Sequence, residues 1–318
     1  MYQLSATLGA WVEAQIGAPI TETRINDSGW SNLVIEINRA WVLRLPKALS
    51  DRHSETPWLA ESALELGILQ ALGPRLAGVA LPQPLANSLA MPVAPDKASA
   101  PSPQPGLLYP RLPGMGMSPA QLTDDNLELA RDLGRVLAAI HGTRPQFQGL
   151  EAYPYGDGDF WTSLWPMAIR QLSQEALKLA EHYFRDAHER GLDGRQLKPV
   201  LCHGDFGPAN LLLKEACSQS PPRLGAVLDF SDCCLQDPAL DFAPLLRRAG
   251  KVFGQQLLAS YRQHLGETAW QALEPASLFD RCEFQARRKA LFVLWYGDKY
   301  GFHSQGSQDF FRSSFSRG

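Results

Sequence analysis

Two stretches decide the reading of this 318-residue chain: Val200–Leu213, VLCHGDFGPANLLL, and Gly225–Ala243, GAVLDFSDCCLQDPALDFA. Each begins as an aliphatic, β-prone run and then breaks into polar residues, which sets those polar groups at strand ends, where side chains converge on a ligand. In the first, His203-Gly204-Asp205 is followed by Asn210, with four residues between the Asp and the Asn; in the second, the strand delivers Asp229-Phe230-Ser231. A single Asp at a strand end is ordinarily a turn former or a helix cap. The ordered set (HGD, then Asn, then a hydrophobic strand ending in Asp-Phe) is much more specific than any one member.

The Asp–Asn spacing is that of the protein-kinase loop H-R-D-x-x-x-x-N, in which the Asp accepts the proton of the attacking hydroxyl and the Asn holds Mg²⁺. Asp229-Phe230-Ser231 is close to D-F-G, whose Asp also binds metal. The residue types suit that chemistry. A phosphoryl group in transfer carries charge on its oxygens, which Mg²⁺ on hard oxygen ligands neutralises, while a carboxylate without a metal orients the incoming hydroxyl. Asn210 can ligate without adding negative charge beside the phosphates. Other chemistries lack their motifs: there is no G-x-S-x-G, H-E-x-x-H, G-x-G-x-x-G or G-x-x-x-x-G-K-[ST].

Outward from these stretches, the chain changes character. Leu33–Ile37 and Ala40–Leu45 are β-prone runs joined by Asn38-Arg39, a hairpin pattern, and Trp58–Leu76 carries apolar residues at helical spacing. Met91–Gly106, MPVAPDKASAPSPQPG, is too rich in Pro, Ala and Ser to build a packed element. It reads as a mobile loop at a hairpin tip, with a docking site for a Pro-reading module as the alternative. After Pro110–Gly116 the pattern turns helical, over Thr123–His141 with Thr123 as N-cap, and over Trp161–Glu189. Two lobes are expected: residues 1–110, an antiparallel sheet plus helix, and residues 111–318, mostly helical.

Composition excludes several classes. Hydrophobic residues make up 45% and charged residues 20%, an ordinary globular mix. Thirty basic against thirty-three acidic side chains leave a charge of −3, which argues against a nucleic-acid binder. Five cysteines without a C-x-x-C fit neither a disulfide framework nor a Cys-based zinc site. Met1–Gly17 lacks the basic start of a signal peptide, and no apolar run reaches the ~18 residues of a membrane span, so a cytoplasmic protein without membrane contact is expected.

Taken together, GDFGPANLLL and LDFSDCCLQDPALDFA resemble the aminoglycoside phosphotransferase family of small-molecule kinases, in wording closest to its aminoglycoside and macrolide branches, over about Asn26–Ala249. The resemblance implies an α+β, bilobal, protein-kinase-like fold with ATP or GTP as cosubstrate. It makes Asp205 the catalytic base, His203 a brace of the loop, and Asn210 and Asp229 the Mg²⁺ ligands. Asp241 matches the family's buried Asp that holds the catalytic loop, with helix capping as the alternative. Asp237-Pro238 has the form of an N-cap followed by Pro at the first helical position.

The N-lobe departs from the family pattern, since the place of the kinase strand lysine falls on Arg44, two residues beyond Val42; Lys47 is the competing candidate. Glu65 fits the helix pattern E-x-x-x-L-x-x-L, with Glu61 one turn earlier as its rival and a solvated helix face as the plain alternative. Asn26–Asn32 matches the nucleotide loop, with Ser28, Gly29 and Ser31 letting backbone N–H groups approach phosphate, and Tyr109–Leu112, including Arg111, falls where a kinase hinge meets the purine. For a cationic acceptor the carboxylate candidates are Asp157, Asp159, Glu283 and Asp298; the aromatics Trp161, Trp165, Trp295 and Tyr296 could line a pocket or simply pack. Arg281, Arg287, Arg288 and Lys289 cluster nearby and weaken the polycation reading. A kinase phosphorylating a small-molecule hydroxyl is the leading expectation; a catalytically silent nucleotide-binding scaffold of the same fold is the alternative.

Overall fold

The computed structural model describes residues 4–26, 32–46, 58–85, 106–144, 150, 160–194, 196–215, 221–300 and 305–315. The fold is α+β: a sheet-containing N-terminal region followed by a helical one. Among the described residues, one compact unit holds those up to Pro113 together with Val227–Ser231, and a second holds the rest. None of the described helices is long and apolar enough to cross a membrane.

In the first unit, β1 (Thr23–Asn26), β2 (Asn32–Ile37), β3 (Trp41–Pro46) and β4 (Leu107–Pro110) form an antiparallel sheet in that order. The β2–β3 connection, residues 38–40, holds Asn38 and Arg39 at φ 51° and 56°, a consecutive left-handed pair, and is closed by Ala40 N–H donating to Ile37 O at 3.0 Å. Asn38 steadies it with a side chain that accepts from Thr21 and Glu22 N–H and donates to Pro19 O. Leu33, Ile35 and Ile37 of β2 alternate inward with Leu43 and Leu45 of β3, and helix α1 (Ala6–Ile16) covers them with Leu8 and Val12. Helix α2 (Trp58–Leu72) buries Ile68, Leu69 and Leu72. Residues 86–105, and with them nearly all of the Pro-rich stretch, lie outside the described residues.

The second unit contains helix α3 (Leu127–His141), α4 (Trp165–Gln171), α5 (Gln174–Glu189), α6 (Ala239–Leu246), α7 (Lys251–Leu265), α8 (Glu267–Gln271), α9 (Leu278–Tyr300) and α10 (Gln305–Ser313). Its strands are short. Strand β5 (Met115–Gly116) joins β7 (Leu211–Leu213) and β8 (Leu224–Val227), while β6 (Val200–Cys202) pairs antiparallel with β9 (Cys234–Gln236). Helices α3 and α7 pack so closely that a Cβ on Gly134 would run into the Leu257 carbonyl and Ser260.

One helical expectation is corrected and another is refined. Helix α3 starts at Leu127 rather than at Thr123, because Asp124 is used elsewhere: its Oδ1 accepts from Phe253 N–H at 2.9 Å and so caps the start of α7. The helical stretch expected over Trp161–Glu189 is present but divided between α4 and α5. Leu172 is extended (φ −111°, ψ 149°), and Ser173 opens α5 by accepting from Ala176 N–H at 3.3 Å.

Candidate active site

Strand β6 carries the chain into His203 and then into Gly204, whose φ of +83° and closeness to the Asp232 carbonyl leave no room for a side chain. The loop hangs from one buried carboxylate. Asp241, in the first turn of α6, accepts from His203 N–H at 2.7 Å through Oδ2 and from Gly204 N–H at 2.9 Å through Oδ1. His141 Nε2–H donates to Asp241 Oδ2 at 3.1 Å, and His141 Nδ1 lies 2.8 Å from the Tyr261 hydroxyl. Because a carboxylate only accepts, the proton of this imidazole is assigned to Nε2. Asp241, His141, His203 and Tyr261 are all buried, so each bond acts at low dielectric. Capping α6 falls to Asp237, which accepts from Ala239 N–H at 2.9 Å.

Asp205 stands half-exposed at the tip of this loop. Its Oδ2 accepts from Asn210 Nδ2 at 2.9 Å, and the same amide donates to the Asp205 carbonyl at 3.0 Å. Its Oδ1 accepts from Lys289 Nζ of α9, which also donates to Gly204 O at 3.1 Å. His203 Nδ1 accepts from Asp205 N–H at 3.3 Å, with the His203 ring edge-on to Phe206. Burial works to raise the pKa of the Asp205 carboxyl, but the Lys289 charge and the hydrogen bonds from Lys289 and Asn210 outweigh it and hold the group below the ordinary aspartate range.

The N-terminal candidates meet around Arg44, which is buried on β3. One arm of its guanidinium donates to Asp229 Oδ1 at 2.9 Å and the other to Glu65 Oε2 on α2. Glu65 Oε1 in turn accepts from Phe230 N–H at 3.2 Å, so the helix carboxylate holds the arginine and the residue next to Asp229. Burial works against the Arg44 charge, yet Glu65 and Asp229 prevail and raise its pKa. Asp229 adopts φ 55°, a left-handed conformation that Asp tolerates better than most residues, and also accepts from Ser231 Oγ at 2.7 Å. Tyr109 is buried beside this group, its hydroxyl pushed up to about 12, by burial first.

Other candidates fare differently. Arg111 is exposed; its N–H donates to Ala40 O at 2.8 Å and its side chain pairs with Glu36 at 3.2 Å. Ser28, Gly29, Ser31, Lys47, Asp157 and Asp159 lie outside the described residues, as do the side chains of Glu61 and Tyr296. Of the acceptor carboxylates, Glu283 pairs with Arg247 at 2.8 Å and Asp298 with Arg170 at 2.7 Å. Trp161, Trp165 and Trp295 pack against the hydrophobic core of the second unit. Arg281 is wholly buried.

Sequence reasoning did not reach His141, Tyr261 or the pairing of Lys289 with Asp205. His141 carried one faint signal, as the last residue of an apolar helix before a glycine. Lys289 sits in an Arg-Arg-Lys run whose members local pattern cannot tell apart.

The α+β architecture, with Asp205 and Asn210 on one loop and Asp229 beside an arginine–glutamate pair, defines the protein-kinase-like phosphotransferases as the class. Within that class the chain belongs to the phosphotransferase enzyme family (APH), whose model matches residues 22–276. Among solved structures it is similar to the GDP and kanamycin complex of APH(2")-IIia (TM-score 0.64, 19% identity, 94% of each chain covered). The ADP-bound aminoglycoside phosphotransferase APH(2'')-Ib is similar at TM-score 0.64 and 19% identity, covering 98% of this chain and 97% of the other. The macrolide 2'-phosphotransferase MphH from Brachybacterium faecium, as apoenzyme, is similar at TM-score 0.63 and 21% identity, covering 96% and 97%. No curated protein sequence matches the chain.

Proposed function

We propose that this phosphotransferase is a Mg²⁺-dependent small-molecule kinase that moves the γ-phosphoryl group of ATP or GTP to a hydroxyl of an antibiotic-like or metabolite acceptor. The observation that carries the reading is the Asp205 carboxylate, fixed by Asn210 and Lys289 on a loop suspended from buried Asp241. Asp205 orients the acceptor hydroxyl and receives its proton as the new O–P bond forms and the bond to the departing nucleoside diphosphate breaks. His203 braces the loop through the Asp205 N–H.

Asn210 and Asp229 would hold the metal. The donor set fits in kind: the Asn210 amide nitrogen is committed to Asp205, which leaves its Oδ1 to serve as a ligand, and Asp229 adds a carboxylate, both hard oxygen donors. Mg²⁺, when bound, neutralises charge on the phosphate oxygens. Arg44, steadied by Glu65, is assigned to the nucleotide phosphates, which its guanidinium would reach by exchanging the bond to Asp229 for one to a phosphate oxygen. Ser28, Gly29 and Ser31 are assigned to the phosphate loop, and the backbone from Tyr109 to Arg111 to the purine. Residues 1–110 serve as the nucleotide lobe and 111–318 as the acceptor lobe, in a cytoplasmic protein that does not bind nucleic acid.

The test is label transfer from γ-labelled ATP and GTP, with Mg²⁺, to a panel of hydroxylated antibiotics and metabolites. At least one acceptor should be labelled. Asp205→Asn should lower turnover by about 10²–10⁴-fold while nucleotide still raises the Tm. Full turnover in Asp205→Asn would remove the assignment, and a protein stabilised by nucleotide that labels nothing in the panel would be the silent scaffold.

A further inference from the structure

Both oxygens of the Asp205 carboxylate have donors, and one of those donors is a full positive charge. Lys289 reaches from the middle of α9 and is fixed at two points, Asp205 Oδ1 and Gly204 O, so its ammonium is built into the loop rather than swinging free in solvent. An acceptor hydroxyl that uses Asp205 must come within about 3 Å of this carboxylate. A substituent on the neighbouring carbon of that acceptor then lies a few ångströms from Lys289 Nζ. If the substituent is an ammonium, it meets a like charge in a half-buried place, where screening by water is reduced. Among the described residues, the two other carboxylates singled out for a polycation are paired, Glu283 with Arg247 and Asp298 with Arg170. Arg288, the residue before Lys289, adds a further buried cation on the same helix.

We propose that Lys289 is a specificity-determining residue: it occupies the position beside Asp205 that an amine next to the reacting hydroxyl would take, and thereby selects an acceptor that is uncharged or anionic at that point. The chain supplies its own ammonium where a cationic acceptor would bring one. This rests on the reading of Asp205 as the group that receives the acceptor hydroxyl.

The probe is kanamycin, a polycationic polyol, titrated calorimetrically into the full chain loaded with ADP and Mg²⁺. Lys289→Ala and Lys289→Met should bind kanamycin at least about tenfold more tightly than the wild type, a modest fraction of what a like-charge contact costs. Lys289→Arg, which keeps the cation, should stay at the wild-type affinity. The double variant Asp205→Asn/Lys289→Ala should lose the gain, because no carboxylate is left to receive the amine; this separates a freed charge from a loop that has merely loosened. Equal affinities in wild type and the Ala and Met variants, including no binding by any of them, would overturn the proposal, as would a gain that persists without Asp205. None of these readings needs turnover. Loss of label transfer in Asp205→Asn, measured separately, shows whether the catalytic reading itself stands.

Discussion

Two of the cation–carboxylate pairs on helix α9, Arg281 with Asp237 and Lys289 with Asp205, stand about two turns apart and could hardly differ more. Arg281 is 1% exposed and its partner Asp237 is likewise buried; every arm of the guanidinium is used, on Asp237 Oδ2 at 2.8 Å, on the Glu274 carbonyl at 3.0 Å, on Ser277 Oγ and on the Leu273 carbonyl at 2.7 Å. Burial still raises the pKa of Asp237, and Arg281 offsets this only in part. Lys289 and Asp205, by contrast, are 28% and 45% exposed in their side chains, and their carboxylate is held below its usual range. The first pair is saturated and dry, so it can fix α9 to the start of α6 and do nothing else. The second keeps access to solvent, as the proton-receiving role proposed for Asp205 requires.

The contrast can be broken in order of expected effect. Asp205→Asn should cost about 10²–10⁴-fold in turnover, with a melting temperature close to that of the wild type. Arg281→Leu should do the reverse. It strands a buried carboxylate, and breaking one side of such a pair costs about 3–5 kcal/mol of stability, read as a lower urea midpoint. Tyr261→Phe removes the hydroxyl beside His141 Nδ1 and should cost about 1–3 kcal/mol, the penalty of a buried polar atom left without a partner. At the bottom of the scale, Arg262→Ala deletes an exposed pair with Glu267 on the far end of α7 and should leave the melting temperature within experimental scatter. If Arg281→Leu abolished turnover at full stability, or Asp205→Asn unfolded the chain, the division into a holding pair and a working pair would be wrong.

The legible parts of the molecule were those written in neighbouring residues. Asn38-Arg39 between two alternating runs is a local turn signal and became the β2–β3 hairpin; Asp237-Pro238 is a local cap signal and opens α6. Arg44 and Glu65 could be nominated because each obeyed a short spacing, and the structure joins them through the guanidinium. What failed locally failed because a distant partner intervened. Thr123 has the form of an N-cap, but Asp124 is drawn to α7 and the helix starts at Leu127. Trp161–Glu189 is largely helical as its pattern predicts, though Ser173 divides it in two. Lys289 was visible only as one charge in a basic run, since its meaning depends on a residue more than eighty positions earlier. The partners of Glu283 and Asp298 were equally out of reach of local pattern, since Arg247 and Arg170 lie outside α9.

Gly134 has a consequence for how the His203–Asp205 loop is kept still. With no side chain at that position, the backbones of α3 and α7 touch, and the same two helices carry His141 and Tyr261, whose contact supports Asp241 and through it the loop. The spacing of the helices thus acts as a gauge block for a carboxylate several residues away. A single methyl group inserted there would be a wedge, transmitting its thickness along both helices to the Tyr261 hydroxyl.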